Sequence, residues 1–135
     1  MELQLQVGTK IILQNEEGEF LLLKRSRIKY PEVAEDELWD IVGGRIEIGI
    51  PLLKNLEREI FEETKLALIG EPRLLCAQDI LRPDKHVVRL TYVGQVSGEV
   101  VLDSDHTEHR WFSRDEINNN AGLDKYFKEV LAKFL

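Results

Sequence analysis

The chain has 135 residues, 43% of them hydrophobic, which is ample for one packed core and too apolar for a disordered polymer. Its 25 acidic against 18 basic residues leave a formal charge of −7, which argues against a general nucleic-acid binder, since phosphates need a basic face. No apolar run approaches the ~18 residues that span a bilayer, and "MELQLQVGTK" lacks the basic-then-apolar layout of a secretory leader.

In chain order, "QVGTKIILQ" alternates and is followed by "NEEGEFLLLKR", with a turn signal at Glu17-Gly18; together they predict a hairpin of two strands. "RIKYPEVAEDE" is polar, holds a proline and reads as a loop. "LWDIV" reads as a short strand running into Gly43-Gly44. From Pro51 to about Lys65 the pattern turns helical, with proline at a favourable first-turn position. "EPRLLCAQDI" and "KHVVRLTYVGQV" are strand-like and joined by "LRPD"; "SGE" is a turn and "HRWF" a last short strand. Ser113 and Glu116 in "SRDE" carry a capping-box signature, and "LDKYFKEVLAKFL" closes the chain as an amphipathic helix. The single cysteine, Cys76, allows no internal disulfide, fits a reducing compartment and sits in an apolar run as a core residue. With no repeat, linker or low-complexity segment, the reading is one α/β domain over residues 1–135 with a mixed or antiparallel sheet, soluble and cytoplasmic, without membrane contact.

The helical segment is crowded with acids: Glu57, Glu59, Glu62 and Glu63 face only Arg58 and Lys65. With Glu59 set at zero on a helical wheel, Glu63 falls at about 40° and Glu62 at about −60°. Leu52, Leu53, Leu56 and Ile60 fall between about 20° and 120°, so Glu59 and Glu63 border the apolar stripe instead of facing water. Like charges at this spacing cost roughly 0.2–0.5 kcal/mol when exposed and more when desolvated. Late in a helix the macrodipole disfavours them further. A divalent cation reverses the sign of each of these effects, and hard carboxylate oxygens suit Mg²⁺. An acidic, solvated helix face, or one used only as a protein interface, is the plainer alternative.

The surrounding "GGRIEIGIPLLKNLEREIFEETKL", Gly43 to Leu66, resembles the signature of the Nudix hydrolases, G-x5-E-x7-R-E-U-x-E-E-x-G-U with U aliphatic. Gly44, Arg58, Glu59, Ile60, Glu62, Glu63 and Leu66 occupy matching positions over residues 44–66. Ile50 stands where the family has its first glutamate, Lys65 where it has the late glycine, and Val42 where many relatives have proline. The family's first glutamate helps hold the motif's arginine, so Ile50 leaves Arg58 short of a partner, with Glu47 and Glu57 as candidate substitutes.

What the resemblance implies is an α+β fold, a mixed sheet sandwiched between helices. The implied activity is metal-dependent hydrolysis of a nucleoside diphosphate linked to another group X, with a small nucleotide as the partner and not a nucleic-acid polymer. Glu59 and Glu63 become the principal ligands of Mg²⁺ or Mn²⁺, with Glu62 and the Gly43 carbonyl beside them. Glu62 doubles as a proton acceptor, and Arg58 pins a glutamate by charge-assisted hydrogen bonds. A further acid comes from "DSDHTEHRW", where Asp105, six residues before Trp111, fits best among Asp103, Asp105 and Glu108; His106 and His109 lie beside it. Arg25, Lys85 and Arg82 are candidate phosphate or base contacts, and Trp39 and Tyr30 candidate stacking surfaces, with Trp39 equally suited to the core. Nucleoside triphosphates lead; nucleotide sugars and ADP-ribose are the alternatives, and a nucleotide sensor that does not hydrolyse is the reading Ile50 keeps open. Homodimers are common in the family, and nothing in these residues fixes one.

Overall fold

The computed structural model describes residues 2–135. The alternating N-terminal segment forms β1, Gln4–Gln14, and "FLLLKR" forms β2, Phe20–Arg25. Between them Asn15 Oδ1 accepts from the Glu17 and Glu19 amides at 3.1 and 2.9 Å, and Gly18 supplies a φ of 77°. The hairpin is paired only at its mouth, Gln14 opposite Phe20, after which its strands part. β1 continues antiparallel to β4 (Val42–Arg45) and parallel to β6 (Lys85–Ser97). β2 continues antiparallel to β3 (Trp39–Asp40) and β7 (His106–Phe112). With β5 (Ala67–Leu81) against β6, the sheet runs β3-β2-β1-β6-β5, β4 and β7 lying off that path.

Two strand expectations need correction. "LWDIV" is not one strand: it breaks at Ile41, so Trp39 and Asp40 join β2 while Val42 crosses to β1 and takes Gly43-Gly44 into β4. β5 also starts earlier than Glu71, at Ala67, because this edge strand tolerates Gly70 and Pro72 through a register shift between Ile69 and Arg73.

The runs Ile11–Leu13 and Phe20–Leu23 are buried throughout because helices cover both faces of the sheet. Ile11, Leu13, Leu21 and Leu23 pack on Leu56 and Ile60 of α1 (Leu52–Thr64). Ile12, Phe20 and Leu22 pack on Ile117 of α2 (Arg114–Asn118) and on Phe127, Val130 and Leu131 of α3 (Lys125–Phe134), with half-buried Cys76 against the same cluster. The sheet is thus sandwiched between helices. Ser113 and Glu116 close the capping box of α2, and Asp124 caps α3 by accepting from the Phe127 amide at 2.9 Å.

Helix α1 runs from Pro51 as its N-cap to Lys65 as its C-cap, and Lys65 takes the left-handed conformation itself, φ 61°. Its buried face differs from the aliphatic stripe: Leu53 is exposed, and Asn55, Leu56, Ile60, Glu63 and Thr64 are buried. Three polar side chains therefore enter the sheet-facing side of this helix.

Candidate active site

The site begins where β4 crosses β1. Gly43 has φ 130°, and a Cβ there would lie 2.1 Å from the Thr9 carbonyl oxygen, so only glycine fits. Because the strands approach this closely, the Gly43 N–H is free to turn to α1, where it donates to Glu63 Oε2 at 3.1 Å. Its carbonyl accepts from Lys10 Nζ at 3.0 Å. Glu59 lies one turn back on α1, its carboxylate close under Gly44, where a Cβ would come within 3.4 Å of Oε2. Burial pushes the Glu63 carboxyl up to about 9; Glu59 acts in the same direction, while Lys10 and the Gly43 amide oppose it. The two carboxyl groups are thus held together in partial burial, with burial favouring the protonated form of Glu63. Glu62 turns outward, 53% exposed, to Arg58 Nη1 at 3.5 Å.

β7 brings His106 to the same place. Its Nε2 is 3.7 Å from Glu63 Oε1 and its Nδ1 is 2.8 Å from Asp103 Oδ1. Asp105, the acid favoured by spacing, sits on the rim, bound by Lys29 Nζ at 2.9 Å, and that hydrogen bond holds its carboxyl below the usual range. Glu108 pairs with Lys24 on the neighbouring strand instead.

A second charge cluster continues from Lys10. Asp40 pairs with Lys10 Nζ and accepts from Arg25 Nη2 and Arg89 Nη2, each at 3.1 Å. Arg89, 5% exposed, also donates to Asp124 Oδ2 at 3.0 Å. Burial opposes ionisation of Asp40, yet Lys10, Arg89 and Arg25 outweigh it and hold its carboxyl well below the usual carboxylate range. Burial likewise disfavours the charge on Arg89, and Asp40 and Asp124 more than restore it. Asp124 is pushed up by burial and by Asp40, against Arg89. Buried charges persist when paired in this way.

Both clusters line one cavity of about 540 Å³, within the range of small-molecule sites. Arg25, Lys85, Arg82 and Tyr30 line it as well. Trp39 does not: its ring stands edge-on to Phe112, centroids 5.5 Å apart at 84°, and packs into the core beneath α3. Its placement as a stacking surface is therefore corrected, because the break at Ile41 turns the side chain into the hydrophobic layer.

The family model of the NUDIX domain matches residues 4–134. The chain belongs to the NUDIX family. Among solved structures it is similar to the MutT protein from Methanosarcina mazei Go1, 27% identical over 99% of this chain and 95% of that one, TM-score 0.84. It is also similar to a MutT NUDIX hydrolase from Burkholderia pseudomallei, 26% identical over 96% and 98%, TM-score 0.79. A NUDIX hydrolase from Nitrosomonas europaea, 20% identical with TM-score 0.77, shares the fold. None of the curated proteins matches the chain. With this membership comes the enzyme class, a hydrolase acting on pyrophosphate bonds.

Within the NUDIX helix, Arg58 donates to Asn55 Oδ1 at 2.7 Å, while Glu47 is 3.5 Å from it and Glu57 is exposed without joining it. Sequence reasoning missed Asn55, Lys10, Asp40, Arg89 and Asp124. The signal available for three of them was a charge inside an otherwise apolar strand: Lys10 in "GTKIIL", Asp40 in "LWDIV" and Arg89 in "VVRLTYV". No helix is long and apolar enough to cross a membrane among the described residues.

Proposed function

We propose that the chain is a metal-dependent pyrophosphohydrolase acting, as a single domain in the cytoplasm, on a nucleoside diphosphate linked to a group X, with a nucleoside triphosphate as the favoured substrate. The observation that carries this is the Glu59–Glu63 pair beneath Gly43-Gly44: two like-charged carboxyl groups, one of them buried, line a cavity that Lys10, Arg25, Arg82 and Lys85 line as well. Among the described residues no three such ligands converge on one point as they stand. The donor set nevertheless fits Mg²⁺ or Mn²⁺, hard cations that take carboxylate and carbonyl oxygens and leave positions for phosphate and water. On this reading Glu59 and Glu63 would hold the ion, with Glu62, now beside Arg58, and the Gly43 carbonyl, now bound by Lys10, as further oxygens for it. Such an ion supplies charge neutralisation on the phosphates and a lowered pKa for a bound water.

The chain's own residues do the rest. Arg25 and Lys85 bind the phosphate chain from the opposite wall, and Lys10, within reach of both clusters, exchanges the Gly43 oxygen for a phosphate oxygen. Asp105 and the Asp103–His106 pair are the groups assigned to take up a proton leaving the attacking water. Hydrolysis then breaks one P–O bond of the pyrophosphate link, with the water oxygen added to one phosphorus and the leaving oxygen departing on the other.

The test is release of phosphate or pyrophosphate from nucleoside triphosphates, nucleotide sugars and ADP-ribose with Mg²⁺, with Mn²⁺ and with chelator, beside Glu63→Gln. Metal-dependent turnover of a triphosphate, reduced at least ~10³-fold in the variant, is the expected result. Turnover that ignores the chelator, or survives in the variant, overturns the reading.

A further inference from the structure

Arg58 has four oxygen partners, and they are not equivalent. Glu47 Oε1 and Glu62 Oε2 lie at 3.5 Å on carboxylates that are 63% and 53% exposed. Glu59 Oε1 lies at 3.3 Å. Asn55 Oδ1 lies at 2.7 Å, and Asn55 is fully buried. The Asn55 amide is itself oriented from behind, its Nδ2 donating to Oγ1 of buried Thr9 at 3.4 Å. Thr9 is the β1 residue paired with Gly44, and its carbonyl sets the close approach at Gly43. One chain of contacts therefore runs from the β1–β4 crossing through Asn55 to Arg58 Nη2, and the same Nη2 reaches Glu59.

Asparagine is a poor choice for a helix interior, where its amide competes with the backbone, and a poor one for burial. A position one turn into α1 that faces the sheet would ordinarily take alanine or leucine. A short, directed hydrogen bond to a guanidinium gives it a reason to be there. At the same time Ile50 puts an aliphatic side chain where a carboxylate would otherwise hold Arg58.

From these contacts we infer that Asn55 is a positioning residue: it fixes Arg58, and through Arg58 the carboxylate of Glu59, in place of the glutamate absent at position 50. The inference rests on the hydrolase reading above for its effect on turnover, and stands apart from it in its effect on Arg58 itself. The clamp is neutral, so Arg58 keeps its full charge for Glu59 and Glu62. It is also anchored to β1 instead of to the loop before α1, which ties the orientation of Glu59 directly to the strand that shapes Gly43.

The experiment compares the full chain with Asn55→Ala, Asn55→Asp and the double variant Asn55→Ala with Ile50→Glu. Two readouts are taken: Mn²⁺-dependent turnover split into kcat and KM, and the Arg58 Nε–H resonance in ¹⁵N-correlated spectra of the metal-free protein. Asn55→Ala is expected to lower kcat about tenfold or more with KM nearly constant, the range found when an orienting partner is removed. Its Arg58 resonance should broaden or average with those of mobile arginines. Asn55→Asp keeps an acceptor at the same reach and should keep the Arg58 resonance, and Ile50→Glu should restore both readouts in the alanine background. Full kcat and an unchanged Arg58 resonance in Asn55→Ala would overturn the inference. So would a double variant as impaired as the single one, since a residue needed only for packing is not rescued from position 50. A parent chain that hydrolyses nothing would sink the hydrolase reading, while the resonance comparison would still decide the clamp.

Discussion

The two charge clusters of the cavity touch through Lys10 and obey opposite rules. Asp40, Arg89, Arg25 and Asp124 form a paired set in which each buried charge meets an opposite one within about 3 Å. Glu59 and Glu63 form a like-charged set, met by Arg58 at 3.3 Å from Glu59 on one side, and burial pushes the Glu63 carboxyl towards its protonated form. The first set is complete as the chain folds; the second keeps an excess of negative charge, which the proposed metal-dependent reading assigns to a cation. Comparing them separates charge that holds the fold from charge held ready for chemistry.

The largest effect should come from breaking the paired set. Arg89→Met keeps most of the buried volume but leaves Asp40 with one partner fewer and Asp124 with none of its ion pairs. Removing one member of a buried pair typically costs about 3–5 kcal/mol, and urea denaturation should show a loss of that order. A loss below ~1 kcal/mol would mean that water reaches the cluster and that the contrast between the two sets is wrong.

The like-charged set should respond with the opposite sign. Glu63 titrates near 9 in the folded chain against its ordinary 4.5, so between those values the folded state binds the extra proton. The contribution of Glu63 to the stability of the metal-free protein is therefore fully present below about pH 4.5 and is lost as pH rises towards 9. Glu63→Gln carries no charge, and its amide oxygen can still accept from the Gly43 N–H. The variant should flatten that decline and exceed the parent by roughly 1–2 kcal/mol at pH 8 in chelator. Thermal melts of both proteins across pH 5–9 check this; parallel profiles would show that Glu63 is not the group retained as acid. One substitution would thus raise stability and abolish turnover, which is what charge held for chemistry predicts.

The like-charged set was also the legible one. Glu59, Glu62 and Glu63 lie within five positions on one helix, so periodicity alone brings them together, and Gly44 lies at a fixed distance before them. The paired set is assembled by register: Lys10 on β1, Asp40 on β3, Arg89 on β6 and Asp124 before α3 meet only because β1 lies between β2 and β6. A parallel β1–β6 pairing and a strand that breaks at Ile41 leave no short-range mark. Trp39 was ambiguous for the same reason, since the side it faces depends on where that break falls. Asn55 was hidden differently: a wheel weighted by hydrophobicity discards a polar residue from the buried arc, and here the buried arc holds three.

One more comparison is needed before the cost carried by α1 can be assigned to its carboxylates, because its C-terminal end is strained as well. Lys65 occupies a left-handed cap at φ 61° that glycine adopts freely, a conformation worth roughly 1–2 kcal/mol against a side chain. Its ammonium partly offsets this by lying 4.4 Å from the centroid of the Phe61 ring, an exposed cation–π contact of about 0.5–1 kcal/mol. Lys65→Gly relieves the backbone and loses the contact, so its net effect should be small. Lys65→Ala loses the contact and keeps the strain. The difference between the two variants isolates the backbone, and glycine should be the more stable by about 1 kcal/mol, with equal turnover in both. If alanine matched glycine, the helix end would carry no strain, and the whole excess cost of α1 would belong to Glu59 and Glu63.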